Sequence, residues 1–194
     1  MELLAAGKTL RSGEKGPLFG YRVLELGSTI AGPFCARLLG DFGAEVIKVE
    51  PPAGDPVRYM GVLDEGESLY AATILRNKKL ISVDLKTKEG YEIVRELMKQ
   101  VDIVIENFRP GTLERLGLEY EDISKENPGL VLVRISGYGQ TGPYSPRPGY
   151  GVTAEAVGGV RHMIGEPDLP PARVALAMTD HLGALYGASG AMLA

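Results

Sequence analysis

Apolar residues along this chain fall into two kinds of pattern: short continuous runs bounded by glycine or proline, and longer stretches with an apolar stripe at helical spacing. The runs Tyr21–Leu26 (YRVLEL), Glu45–Val49 (EVIKV), Leu80–Leu85 (LISVDL), Val101–Glu106 and Leu130–Ile135 read as β-strands. Between the first two, Phe34–Phe42 carries Phe34, Ala36, Leu38, Leu39 and Phe42 and stops at Gly43, with Pro33 suited to the first turn of a helix. Lys88–Gln100 places Ile93, Val94, Leu97 and Met98 on one helical face. Shorter helices are predicted over Leu69–Leu75, near Leu113–Leu116 and over Tyr120–Glu126. Strands alternating with helices predict an α/β fold, a parallel sheet with flanking helices, whose first strand–helix–strand unit has a very short crossover.

The remaining segments are less regular. A polar leader runs to about Gly16, which divides the chain into a leader over 1–19 and one domain over 20–194. Asp55–Leu69 and Gly158–Arg173 read as irregular, Tyr150–Val157 as helical, and Ser136–Gly149 (SGYGQTGPYSPRPG) as a loop at the carboxyl end of a strand, where parallel sheets bind ligands. The apolar segment Asp180–Ala194 reads as a helix that stops without a cap, as expected of one half of something larger.

Composition narrows the function classes. With 44% hydrophobic and 24% charged residues, and 21 Lys+Arg against 25 Asp+Glu for a net charge of −4, the chain has globular proportions and no broad basic surface for nucleic acid. No apolar run reaches the ~20 residues of a membrane helix, and the N-terminus lacks a signal-peptide core, so a cytoplasmic setting is expected. Cys35 alone makes no internal disulfide, and His162, His181 and Cys35 do not build a zinc spacing, so no metal is expected. Glycine is the outlier, 26 of 194 residues, which points to tight turns that bring backbone close to a ligand.

Several motifs carry chemistry. Gly137, Gly139 and Gly142 match a dinucleotide fingerprint, but Pro143, Pro146 and Pro148 forbid the helix that must follow. Gly27 and Gly32 have phosphate-loop spacing, yet Pro33 stands where the lysine belongs. That turn either offers backbone N–H groups to a diphosphate at a helix N-terminus or is plain turn geometry. Asn107-Phe108-Arg109-Pro110-Gly111 puts an amide, a ring and a cation at a strand's carboxyl edge, a set able to hold adenine and phosphate; alternatively Phe108 is core and Arg109 a solvated cation. Asp180 is either a helix cap or a carboxylate nucleophile beside glycine-rich backbone. His181 reads as a core-edge histidine and Cys35 as a small core residue.

The runs VLELGSTIAGPFCARLLGDFGAEVIKVEPPAGDPVR, LYAATILRNKKLISVDLKTKEG, VDIVIENFRPGTLERLGL, NPGLVLVRISGYGQTGPYSPRPGY and VALAMTDHLGALYGASGAML together resemble the class III coenzyme A transferases, from about residue 20 to 194. Formyl-CoA transferase, carnitine-pathway CoA transferase and α-methylacyl-CoA racemase belong to that family. The resemblance implies a Rossmann-like large domain that holds CoA as a substrate, with no tightly bound cofactor, in a dimer of interlocked rings. Members are about twice this long, so the chain resembles the N-terminal half, a family fold truncated before its small domain, either a homodimer or paired with the missing C-terminal half. The family's catalytic aspartate falls on Asp180, its CoA-contacting turn on Thr29, Ile30 and Ala31, its adenine and phosphate region on Asn107, Phe108 and Arg115, and its thioester-lining loop on Ser136, Gly137 and Tyr138. A basic residue that some members place after the second strand is Pro51 here, which shifts phosphate anchoring toward Arg76, Arg109 or Arg115.

The racemase branch carries a histidine in a Gly-His-Asp stretch that is Gly149-Tyr150-Gly151 here, and a tyrosine of pKa ~10 is a poor substitute in α-proton exchange. The expectation is therefore CoA transfer from an acyl-CoA to a small carboxylic acid through an aspartyl anhydride and an aspartyl–CoA thioester on Asp180. An acyl-CoA α-carbon racemase, or a non-catalytic CoA-binding half that needs a partner chain, are the alternatives. Met163, Tyr138 and the loop of the 140s are expected to form a generic pocket wall.

Overall fold

The computed structural model describes residues 15–194; most of the predicted leader lies outside the described residues. Five strands, β1 (Arg22–Glu25), β2 (Glu45–Glu50), β5 (Lys78–Ser82), β6 (Ile103–Glu106) and β7 (Val131–Arg134), form one sheet in the order β5-β2-β1-β6-β7. Every pairing in it is parallel. The chain builds outward from β1 through β2 to β5, then returns to the other side of β1 for β6 and β7. The direction reverses between β1 and β6, and loops leaving their carboxyl ends diverge there to leave a crevice.

Strand alternation decides which helices cover which face. Val23, Val46, Ile103 and Ile105 point to one side, where Cys35, Ala36 and Leu39 of α1 (Ala31–Asp41) and Ala184, Ala188 and Ala191 of α8 (Met178–Leu193) cover them. Leu24, Val49 and Val104 point to the other, against Val94 and Met98 of α3 (Lys88–Met98), Leu113 of α4 (Thr112–Arg115) and Ile123 of α5 (Tyr120–Glu126). The buried face of α8 is made of small residues because the helix lies close on the sheet. A Cβ on Gly187 would meet Val133 at 3.1 Å, Ile135 at 3.2 Å and Cys35 Sγ at 3.3 Å. Its larger residues, Leu182, Leu185 and Tyr186 among them, face outward.

Several predicted bounds shift. The strand expected at Leu80–Leu85 begins at Lys78 and ends at Ser82, because register with β2 runs from Val46↔Lys78 to Glu50↔Ser82 and the Lys78 side chain is buried in an ion pair. Ile93, expected on the buried face of its helix, is half exposed; Gly90, Val94 and Met98 make that face instead. The stretch after Asp55 contains a 3-10 turn (Pro56–Tyr59) and a two-residue hairpin, β3 (Leu63–Asp64) with β4 (Glu67–Ser68), leading into α2 (Leu69–Ile74), which Ser68 caps by accepting from Ala71 N at 3.0 Å. After α6 (Gly151–Val157), the segment expected to be irregular holds one helical turn, α7 (Val160–Met163). Leu18 of the predicted leader packs on the core, and its N–H donates to Phe42 O at 2.9 Å. Among the described residues no helix is long and apolar enough to cross a membrane.

Candidate active site

At the reversal point between β1 and β6 lies a cavity of about 410 Å³, lined by residues 28–31 after β1, 107–110 after β6, 135–137 after β7, 147–151, and Thr179, Asp180 and Gly183 of α8. Three loops, the last contributing both its ends, therefore converge with the N-terminal turn of α8 on one crevice.

The β1–α1 turn is shaped by close backbone approach. A Cβ on Gly27 or Gly32 would lie 2.7 or 2.9 Å from Asn107 Oδ1, so only glycine fits against that amide. Asn107 clamps the turn in both directions, accepting from Ser28 N at 2.8 Å and donating to Ser28 O at 3.0 Å. Thr29 is left-handed, φ 68°, a conformation costly for a β-branched residue, and its N–H donates to Asp55 Oδ1 at 2.9 Å. With Ser28 and Thr29 so engaged, the N–H groups of Ile30 and Ala31 remain without an acceptor among the described residues, at the uncapped N-terminus of α1.

Four buried charges lie beneath that turn. Lys48 Nζ pairs with Glu25 at 2.7 Å and Asp55 at 2.8 Å and donates to Gly27 O at 2.8 Å; Lys78 Nζ pairs with the other Glu25 oxygen at 2.7 Å and donates to Pro33 O at 2.7 Å. Burial disfavours the Lys48 ammonium, but Glu25 and Asp55 together outweigh it and its pKa is raised. Lys78, with one carboxylate partner, is lowered by burial. Two lysines and two carboxylates make the set neutral, which is what permits its burial.

Asp180 sits in the first turn of α8. Gly151, first residue of α6, comes so near that its Cβ would lie 2.6 Å from both Asp180 Oδ2 and Thr179 Oγ1. Burial raises the Asp180 pKa; its own backbone N–H and the charge of His181 offset this only in part. His181 Nδ1 bonds Ala177 O at 2.7 Å and its ring meets Phe34 edge-on at 4.5 Å, which fixes the start of α8 against α1. Burial raises the Tyr70 pKa, and the Asp180 charge adds to the effect. A partly desolvated carboxylate at the mouth of a crevice is a stronger nucleophile than a solvated one.

Of the other expected site residues, Phe108, Arg109, Ser136 and Gly137 line the cavity with Thr29, Ile30, Ala31, Asn107 and Asp180. Phe108 is held from behind, its N–H donating to buried Glu106 at 2.6 Å while Glu106 also pairs with Arg134 at 2.9 Å. Gly137 and Gly149 cross backbone to backbone, a Cβ on Gly137 falling 2.4 Å from Gly149 Cα, and this closes the base of the 136–149 loop.

Arg76 is not brought to the crevice. It pairs with Asp41 at 2.5 Å, at the C-terminal end of α1, about three helical turns from the Thr29–Ala31 turn. Arg115 folds onto its own helix, donating to Thr112 Oγ1 at 2.8 Å, and Tyr138 stacks edge-on with Tyr144, whose ring Arg147 covers at 4.2 Å; neither Arg115 nor Tyr138 lines the cavity. Met163 is exposed and lies outside the lining as well. The expected wall from the loop of the 140s is supplied by Arg147, Pro148 and Gly149, while sequence reading missed the Glu25–Lys48–Asp55–Lys78 set beneath the turn. The available signal was a lysine and a glutamate inside otherwise apolar strands.

Comparison with known proteins agrees with this geometry. Succinyl-CoA--D-citramalate CoA-transferase of Chloroflexus aurantiacus is 52% identical over 180 residues, covering 92% of this chain and 45% of that protein. Succinyl-CoA:glutarate CoA-transferase of Homo sapiens is 47% identical, over 92% of this chain and 41% of that protein. A crystal structure of a CAIB/BAIF family protein from Brucella suis superposes with a TM-score of 0.87 at 39% identity, over 93% of this chain and 49% of that one. The chain thus spans about half the length of these relatives. Residues 18–194 match the family described as CoA-transferase family III, and the chain belongs to that family.

Proposed function

We propose that this chain supplies the nucleophile and the CoA-binding wall of a coenzyme A transferase that moves CoA from an acyl-CoA donor to a carboxylic acid. The observation that carries the reading is the Asp180 carboxylate, partly desolvated, in a crevice that Ile30 and Ala31 also line, their N–H groups without an acceptor among the described residues. An Asp180 oxygen attacks the donor's thioester carbonyl; the C–S bond breaks, CoA thiolate leaves and an aspartyl–acyl anhydride forms. The thiolate then attacks the Asp180 carbonyl, releasing the donor's carboxylate and leaving an aspartyl–CoA thioester. An acceptor carboxylate attacks that thioester to give a second anhydride and free thiolate, and thiolate attack on the acceptor's acyl carbon yields the new acyl-CoA and regenerates Asp180. Exclusion of water protects both anhydrides.

Two features favour transfer over α-carbon racemisation. Gly151 leaves no space for a second acid–base side chain against Asp180, and Tyr150 is an exposed phenol. Arg109 and Arg147 both line the cavity, which supports them as the cations that meet the phosphates of CoA. The outward apolar residues of α8 and the relatives' greater length support pairing with a polypeptide equivalent to their remaining half.

Succinyl-CoA is the donor named in both relatives above and is the probe of choice. Exchange of labelled succinate into succinyl-CoA should proceed with this chain joined to such a polypeptide and be abolished by Asp180→Ala, while CoA binding persists. Undiminished exchange in Asp180→Ala overturns the assignment.

A further inference from the structure

We infer that Asp55 is a positioning residue for coenzyme A: it fixes Thr29 in its left-handed conformation and so turns the Ile30 and Ala31 N–H groups toward the crevice. The inference rests on the CoA-binding reading above. Asp55 is buried outside the cavity lining, so it acts through the turn and not on the ligand. Both its oxygens reach Thr29 N, at 2.9 and 3.2 Å, and Oδ1 also accepts from Val57 N at 2.9 Å. A threonine at φ 68° holds that conformation only when its surroundings impose it, and this hydrogen bond is the imposition. The consequence for the ligand is a choice of donors. Thr29 N–H, which would point at an anion in a simple anion-binding turn, is bonded to a carboxylate instead, and the next two N–H groups are the ones presented at the start of α1.

The four buried charges divide into two neutral pairs, Glu25 with Lys78 and Asp55 with Lys48, so the second pair can be replaced without stranding a charge. CoA is titrated into the unaltered chain and into two charge-balanced double variants, with melting temperatures as the control for folding. Lys48→Met/Asp55→Asn keeps an oxygen acceptor for Thr29 N and should bind CoA nearly as the unaltered chain does. Lys48→Met/Asp55→Leu removes the acceptor and should weaken CoA about tenfold or more. Adding Thr29→Gly to the second variant supplies positive φ without the hydrogen bond, and should restore most of the affinity. A role confined to stability would leave all three folded variants with equal affinity.

Thr29→Pro provides the same test with the buried charges intact: proline fixes φ near −65° and has no N–H, so CoA binding should fall. Equal affinity across the double variants, no recovery with Thr29→Gly, or full affinity in Thr29→Pro overturns the inference while leaving the proposed function standing. Absence of CoA binding by the unaltered chain overturns that function and this inference with it.

Discussion

The backbone of Gly151 presses on the side chain of Asp180: a Cβ at position 151 would lie 2.6 Å from Oδ2 of the carboxylate. What such a Cβ would meet is the end of two rotatable side chains, Asp180 and Thr179, and not backbone. Gly151→Ala should therefore be absorbed by rotating the carboxylate, at little cost to folding and at high cost to the reaction. A displaced nucleophile of about 1 Å lowers rate roughly a hundredfold. We expect exchange reduced on that scale with a melting temperature close to that of the unaltered chain. Full activity in Gly151→Ala would show that Asp180 is not aimed by this contact.

That contact joins residues 29 positions apart, and nothing local in either segment announces it. The sheet was legible because alternation is local: Val23 and Leu24 go to opposite faces, as period-two patterning requires, and each packs into a different cluster of flanking helices. The β1–α1 turn was legible from Gly27, Gly32 and Pro33. Arg76 was not placed correctly, because a cation's position in sequence does not say which end of α1 it will meet, and Asp41 captures it at the far end. The burial partners of Lys48 and Lys78 had no local signal: the carboxylates that draw them inward are Glu25 on β1, which meets Lys78 from across β2, and Asp55 in a loop, which meets Lys48. Asp180 was open by pattern between a helix cap and a nucleophile; the resemblance favoured the second, and the crevice around it supports that reading.

The raised pKa of Asp180 makes both rate and stability depend on pH. By the proposed mechanism exchange needs the ionised carboxylate, and it should fall as pH is lowered through a value above the usual 3.8. An acid whose pKa is higher folded than unfolded favours the fold while protonated: that contribution is complete below its unfolded value and is lost as pH rises through the folded one. At neutral pH the ionised Asp180 thus weakens the fold relative to a neutral isostere. Asp180→Asn should melt above the unaltered chain at pH 7, with the difference vanishing below pH 3.8. A variant less stable at pH 7 would mean that the charge is favourable where it sits.

Glu25 is fully buried and bonded to two lysines; removal of its charge leaves Lys78 without a carboxylate, while Lys48 keeps Asp55. Glu25→Gln should cost about 3–5 kcal/mol in urea unfolding, the scale of a broken buried ion pair. Glu25→Leu/Lys78→Met leaves Lys48 with Asp55 and a neutral interior, and should recover most of the loss. If the double variant is as unstable as the single, shape and hydrogen bonding to Pro33 O and Gly27 O, and not charge balance, set the stability of this region.

Cys35 lies at the α1–α8 contact, 3.3 Å from where a Cβ on Gly187 would be, and burial, reinforced by the charge of Glu25, pushes its pKa up to about 12. At pH 8 the thiolate, the reactive form, is scarce, and the sulfur has no path to solvent. A disulfide reagent should leave the native chain unmodified and react stoichiometrically in denaturing urea, with intermediate rates tracking the open population. Cys35→Ser should lower stability by about 1–3 kcal/mol, because a hydroxyl enters a contact with no polar partner to offer. Rapid labelling of the folded protein would show that α8 leaves the sheet in solution, and with it Asp180 would leave the crevice; the thiol therefore reports directly on whether this helix holds Asp180 in place.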